Sequence, residues 1–181
     1  MLQLSNKAQA AIVAMAKALP KDNPRNYANV IGIRNGKACI TDGFGLLEYR
    51  IEGTAPGDMV LKRDLFPSEV KFPAWEQVIP STGQEVSQET CMEILELISA
   101  IGAKLVNNVY LALAGDKAWI FKSRTNTRKS DASAFNPWIA KNLLKAMPKG
   151  AFPTGGKIHD GCLRIDFENY SLVMIAVRIN D

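Results

Sequence analysis

The chain has 181 residues, enough for one medium domain or two small ones, and its 47% hydrophobic and 22% charged content is that of an ordinary globular protein. No apolar run reaches the length of a membrane-spanning helix, so no membrane partner is expected, and a formal charge of +4 tolerates nucleic acid without demanding it. Cys39, Cys91 and Cys162 are an odd set with no close pair, and the stretch from Met1 to Lys7 lacks the layout of a signal peptide; both features point to free thiols in the cytoplasm.

The pattern predicts three similar units, each a helix followed by strands. A first helix runs from about Ser5 to Leu19, with Ala8, Ile12, Met15 and Leu19 on one stripe and Lys7, Ala14, Lys17 and Lys21 opposite. Pro20 and Pro24 stop it. Strands from Tyr27 to Ile33 and from Lys37 to Thr41 flank Asn35-Gly36, the strongest short hairpin signal, and further strands are predicted at Leu47 to Glu52 and Asp58 to Lys62. Phe72-Pro73-Ala74-Trp75-Glu76-Gln77-Val78-Ile79-Pro80 carries two prolines that remove backbone donors, so it reads as a buried connector presenting Phe72, Trp75, Val78 and Ile79 rather than as an inner strand. Ser81 to Glu85 reads as a linker.

A second helix is predicted from about Ser87 to Ala103, with Cys91, Ile94, Leu95, Ile98 and Ile101 inward and Glu89, Glu93 and Glu96 outward. Val109 to Ala114 and Lys117 to Lys122 form a hairpin around Gly115-Asp116, and residues 123–134 read as an exposed basic loop. Asn136 as N-cap and Pro137 at the first helical position open a third helix, with Ile139, Leu143 and Met147 inward and Lys141, Lys145 and Lys149 outward. Lys157-Ile158, Leu163 to Phe167 and Ser171 to Ile179 supply the last strands. The fold class is therefore α+β, helices packed on antiparallel sheets.

Enzyme signatures are weak. His159-Asp160-Gly161-Cys162 places the single histidine near a cysteine, but Asp160-Gly161 reads better as a turn between strands. Thr154-Gly155-Gly156-Lys157 lacks the spacing and the following helix of a phosphate loop, and Asp42 reads as a turn residue bonding nearby amides. No catalytic residue, metal or cofactor is expected.

Four segments carry a resemblance. Thr41-Asp42-Gly43-Phe44-Gly45-Leu46, the connector at 72–80, Phe135-Asn136-Pro137-Trp138-Ile139-Ala140-Lys141-Asn142-Leu143-Leu144, and Val173-Met174-Ile175-Ala176-Val177-Arg178-Ile179 are similar, in order, to motifs of the bacterial replicative sliding clamp, the beta subunit of DNA polymerase III. The resemblance implies a clamp-like fold, shortened to about one and a half clamp domains. Residues 1–80 resemble the front half of the middle clamp domain plus the connector. Residues 85–181 resemble the complete last domain.

It also implies a pocket that takes short Leu-Phe-type peptides from DNA polymerase or other replication proteins. Carried over position by position, that pocket comprises Thr41, Phe44, Gly45, Leu46, Pro73, Val78, Met174 and Val177, with Arg178 near by. Two departures bear on it: Phe44 and Gly45 replace the family's polar or aromatic residue and Arg, and Ile175-Ala176 replace one Pro. Clamp helices line a pore around DNA, so Lys7, Lys17, Lys141 and Lys145 are the matching candidates for non-specific phosphate contact, opposed by the glutamates of the second helix. Matching the unit count of a family ring would take four chains, a homo-oligomer.

The function implied is a sliding-clamp-like protein of DNA replication or repair, in the manner of a processivity factor and not an enzyme. The alternative is a clamp-mimicking decoy or regulator, suited to a phage or mobile element, that binds protein without encircling DNA. A third reading is a nucleic-acid-binding module using the basic loop at 122–129 and the lysine faces.

Overall fold

The computed structural model describes residues 4–53, 56–101, 109–122 and 133–177. Three helices, α1 (Asn6–Ala18), α2 (Gln88–Ala100) and α3 (Pro137–Leu144), pack on antiparallel sheets, the expected α+β architecture. Each helix begins on a side-chain cap: Ser5 Oγ accepts from Ala8 N at 3.2 Å, Ser87 Oγ from Thr90 N at 3.1 Å, and Asn136 Oδ1 from Trp138 N at 3.0 Å. Pro137 opens α3 as its sequence predicts.

The strands are β1 (Val30–Arg34), β2 (Lys37–Thr41), β3 (Gly45–Arg50), β4 (Met59–Lys62), β5 (Gln84–Val86), β6 (Val109–Ala114), β7 (Lys117–Lys122), β8 (Ser133–Phe135), β9 (Pro153–His159), β10 (Cys162–Phe167) and β11 (Tyr170–Ile175). Asn35-Gly36 makes the β1–β2 turn with φ of 50° and 73°, and Asp160-Gly161 makes the β9–β10 turn with φ of 45° and 73°, the mirror-image turns that match strand twist.

Eight strands form one sheet in the order β4-β1-β2-β3-β11-β10-β9-β5, and β7-β6-β8 form a smaller one. The large sheet is palindromic about the β3–β11 pair. On one side β1, β2 and β3 carry β4 beside β1; on the other, β9, β10 and β11 carry β5 beside β9. The two edge strands have different origins. β5 is the first strand of the second unit, lent to the sheet of the third, and β8, the first strand of the third unit, is lent in return to β6. Among the described residues the first unit makes no such exchange, and the chain after β3 folds back to fill the edge with β4.

Several boundaries differ from the sequence reading. Gln84 and Glu85 belong to β5 rather than to a linker, because the free backbone edge of β9 needs a partner. Ser133 and Ala134 belong to β8 for the same reason, while the rest of the basic loop lies outside the described residues. Asn26–Asn29 is a turn of 3-10 helix, so the first strand starts at Val30 and not at Tyr27. β11 ends at Ile175. Ala176 then bridges to Phe135, and Val177 N donates to Ala134 O at 2.8 Å, which ties the small sheet to the large one.

One face of the large sheet is covered by the helices. Ile31, Ile33, Leu47, Tyr49, Leu163, Ile165, Leu172 and Met174 meet Ile12 and Met15 of α1, Ile94 and Ile98 of α2 and Leu143 of α3 in a single core. The opposite face carries Val30, Cys39, Leu46 and Val173, covered by Phe72 and Trp75 of the connector. Phe72 stands where Gly32 leaves space: a Cβ on Gly32 would lie 2.5 Å from the Phe72 ring. Trp75 Nε1 donates to Glu48 Oε2 at 2.8 Å, and Lys37 Nζ holds Glu48 Oε1 at 2.9 Å, so this nearly buried carboxylate is paired on both oxygens. Further along, Arg164 Nη1 donates to Pro80 O at 2.5 Å and Lys157 Nζ to Ser81 O at 3.3 Å. The connector thus crosses from the first half of the sheet to the second. Val78, expected to be buried, is 40% exposed, since Trp75 and Ile79 take the inward positions.

Two outcomes test this packing. Gly32→Ala displaces Phe72 and lowers stability by about 1–3 kcal/mol in urea unfolding, the usual range for overpacking. Burial raises the thiol pKa of Cys39, and it raises Cys91 and Tyr170 each to about 12. These protons are held more tightly in the folded chain. Their stabilisation is therefore complete below the ordinary thiol and phenol values of 9.0 and 10.0 and falls as pH rises from there towards 12. Unfolding midpoints measured across that alkaline range should fall steadily, and Cys91 should resist alkylation near neutral pH until the chain is unfolded.

Candidate functional site

Of the expected pocket residues, Thr41, Phe44, Gly45, Leu46 and Met174 lie at one end of the β3–β11 pair, but they do not share one surface. Leu46 faces Val173 across the pair, and Gly45 faces Met174. Side chains alternate along a strand, so Leu46 joins the connector-side cluster and Met174 the helix-side core. Leu46 is 3% exposed and Met174 1%, so neither offers an open wall. Pro73 is exposed on the connector, as is Val78, and Val177 is half-buried beside β8. Arg178 lies outside the described residues.

The Thr41–Leu46 segment is a rigid corner. Thr41 Oγ1 donates to Gly45 O at 2.6 Å and accepts from Gly43 N at 3.0 Å. Asp42 Oδ1 accepts from Phe44 N at 2.9 Å and from Gly45 N at 3.0 Å, which is the turn role read from its sequence. Gly43 has φ of 92° and abuts the Arg25 guanidinium and the Tyr27 hydroxyl. Phe44 is 46% exposed, and the Arg25 guanidinium lies 4.4 Å from its ring centre. Arg25 Nη1 also donates to Asp42 O at 2.8 Å, and among the described residues it forms no ion pair.

On the helix side of this corner lies a cavity of about 300 Å³. Leu19 and Pro20 wall it at the end of α1, Ile40 and Thr41 at the end of β2, and Ile139 and Leu143 on α3. Asn23, Asp42 and Asn142 give it a polar rim. Apolar walls with a few polar groups at the mouth are the general form of a small binding site. The cavity exists because Pro20 ends α1 before it reaches α3. Gly45 brings the strand close to that helix: a Cβ there would lie 2.7 Å from Ile139 Cγ2.

Of the residues singled out in the sequence, Thr41 lines the cavity. In the sequence Ile139 and Leu143 have the spacing of helix core and Pro20 marks a helix end, so neither signals a cavity. The available clue was that α3 was one of the four resembling segments. A wider groove of about 720 Å³, between the Asn26–Asn29 turn and residues 62–70, contains none of the expected residues.

The lysine candidates are partly engaged. Lys141 Nζ donates to Ser99 O at 3.1 Å and to Ile101 O, so it caps the carbonyl end of α2. Lys7 pairs with Glu52 at 3.2 Å, and its pKa is raised mainly by that bond. Lys145 donates to Asn142 Oδ1 at 2.8 Å on an exposed helix face, and Lys17 is exposed. His159 and Cys162 face each other across the β9–β10 turn, with His159 Nε2 at 3.4 Å from Asp160. Among the described residues there is no group of three or more His, Cys, Asp or Glu placed to hold a metal ion, and no helix is long and apolar enough to cross a membrane.

No family model and no curated protein matches the chain. Solved structures do match. The DNA polymerase sliding clamp from Pseudomonas aeruginosa with ligand aligns with a TM-score of 0.63 and 13% identity, over 96% of this chain and 64% of that one. The DNA polymerase III subunit beta from Borrelia burgdorferi in complex with a natural product aligns at 0.59 and 9%, over 96% and 62%. The DNA polymerase III beta subunit from Thermotoga maritima aligns at 0.59 and 14%, over 99% and 68%. The chain thus has the sliding-clamp fold and spans 62–68% of the length of these proteins.

Burial predicts how the site responds to mutation. Leu46→Asp and Met174→Asp each put an unpaired charge in a core and destabilise the fold by about 4 kcal/mol or more, whereas exposed Phe44→Asp changes stability by less than about 1 kcal/mol. Urea unfolding of the three variants checks the difference. Lys141→Met should loosen the end of α2, seen as faster amide exchange there.

Proposed function

We propose that this chain is a sliding-clamp-like protein of DNA replication or repair that holds a short Leu-Phe-type peptide of a polymerase or other replication partner. The observation behind this reading is the cavity of about 300 Å³ between the end of α1, the end of β2 and α3, where the first half of the chain meets the second. Burying one leucine and one phenylalanine releases roughly 1.5–3 kcal/mol each before ordering terms, so these anchors supply a large part of the about 8 kcal/mol of micromolar binding and the flanking peptide residues supply the rest. Thr41 and Asp42 of the corner line the cavity, and Asn142 and Ile139 of α3 join Thr41 as contacts. The role is one of recognition and needs no catalytic group. It fits the cytoplasm, where the unpaired thiols of Cys39, Cys91 and Cys162 stay reduced.

On this reading residues 1–80 are a half clamp domain and residues 85–181 a complete one. The exchange of β5 and β8 supports that division, because it occurs between the second and third units. A ring of several copies would join through the outer edges.

The decoy or regulator reading gains from the lysines. With Lys141 capping α2 and Lys7 paired to Glu52, Lys17 and Lys145 are left of the four candidates for phosphate contact. Any DNA affinity carried by these helices should then show a log–log salt slope no steeper than about −2, measured by fluorescence anisotropy on duplex DNA. A much steeper slope would favour DNA encirclement.

The peptide pocket is tested by titrating the chain with a labelled peptide of the Gln-Leu-x-Leu-Phe type. Micromolar binding is expected, weakened at least about tenfold by Phe44→Asp and by Asn142→Trp, which fills the cavity mouth. A folded wild-type chain that binds no peptide would contradict the proposal.

A further inference from the structure

The loop after β4 presents two adjacent apolar side chains to solvent. Leu65 is 38% exposed and Phe66 68%. The loop is well fastened: Lys62 N donates to Phe66 O at 2.8 Å, Leu65 N to Lys62 O at 2.9 Å, and Ser68 N to Val60 O at 2.8 Å. Asp64 Oδ1 accepts from Phe66 N at 3.2 Å, and Pro67 bridges to Leu61. Leu65 has φ of 66°, a left-handed conformation that crowding between Cβ and the carbonyl disfavours for a bulky residue. A rigid, strained turn that holds a leucine and a phenylalanine outward has the form of a ligand, not of a receptor.

We infer that the Asp64-Leu65-Phe66 turn of one copy docks into the cavity between α1 and α3 of a second copy. The inference rests on the proposed peptide pocket and names a partner for it. Three observations select a second copy. The cavity has apolar walls and a size suited to one or two side chains. Arg25, bonded to the carbonyl of the cavity residue Asp42, carries a positive charge with no carboxylate partner among the described residues, and Asp64 brings a carboxylate towards it as the turn enters. Third, turn and cavity are neighbours: Arg63 Nη1 donates to the carbonyl of Leu19, and Leu19 is a wall of the cavity. Two copies related by a two-fold axis can therefore each place a turn in the other's cavity, a closed and reciprocal contact. Within one chain the fastened turn keeps Leu65 and Phe66 in solvent.

The consequence is regulatory. Self-association and peptide binding compete for one cavity, so a replication partner would separate the copies on binding. Sedimentation equilibrium of the full chain, from low to high micromolar concentration, should give a monomer–dimer equilibrium. Phe66→Asp and Asn142→Trp, both at exposed positions, should each weaken it at least about tenfold, and excess Leu-Phe-type peptide should dissociate it. A wild-type chain that stays monomeric, or a dimer that survives Phe66→Asp or Asn142→Trp, would overturn the inference. Titrating Phe66→Asp with the labelled peptide separates the two proposals, because its cavity is unaltered. If that variant binds peptide while the wild type stays monomeric, the pocket stands and the self-ligand falls; if it binds no peptide, both fall.

Discussion

Everything in this molecule hangs on the antiparallel pairing of β3 with β11. Those strands lie far apart in sequence, one near residue 45 and the other near 175, and their ladder turns two four-stranded halves into one sheet. Closing so long a loop is entropically unfavourable, and the fold answers by fastening the joint on both faces. On one face α3 packs against both β3 and β11. On the other the connector runs from Phe72 and Trp75, over the first half, to Pro80 and Ser81, held by Arg164 and Lys157 of the second. The cavity lies between α1 and β2 of the first half and α3 of the second, so a ligand there would touch both halves at once.

The palindromic sheet also draws both of its edge strands from the described residues. In the second and third units the edge positions are filled by exchange, β5 for β8. In the first unit β4, from its own sequence, occupies the equivalent place beside β1. Arg63, just beyond β4, then bonds the carbonyl end of α1, so the substitute strand also secures the helix above it. The first unit fills this edge from its own sequence, and the turn that follows β4 is the one that displays Leu65 and Phe66.

Much of the architecture was legible because local signals agreed with the tertiary result. Asn35-Gly36 and Asp160-Gly161 mark turns that are there, Ser5 and Asn136 stand at helix starts, and the apolar stripes of α1 and α3 face the core. β5 and β8 were not legible. Three residues carry no period, and their strand character comes from the edges of β9 and β6 rather than from their own side chains. Which face each expected pocket residue takes was not legible. Sequence order names Leu46 and Met174 together, while the pleat sends them to opposite faces and buries both. Lys141 holds a solvent-facing position by spacing, but its long side chain returns to the end of α2, which no periodicity reports.

The measurement that tests this account most directly is native-state hydrogen exchange, followed residue by residue along β3 and β11. If that pair is the constraint on which both halves depend, its amides exchange only on global unfolding, as slowly as those of β10, and the two halves of the chain share one opening free energy. If β3 exchanges early while β9, β10 and β11 stay protected, the halves unfold separately. The joint would then be a weak contact, and the cavity beside it could not be a preformed site.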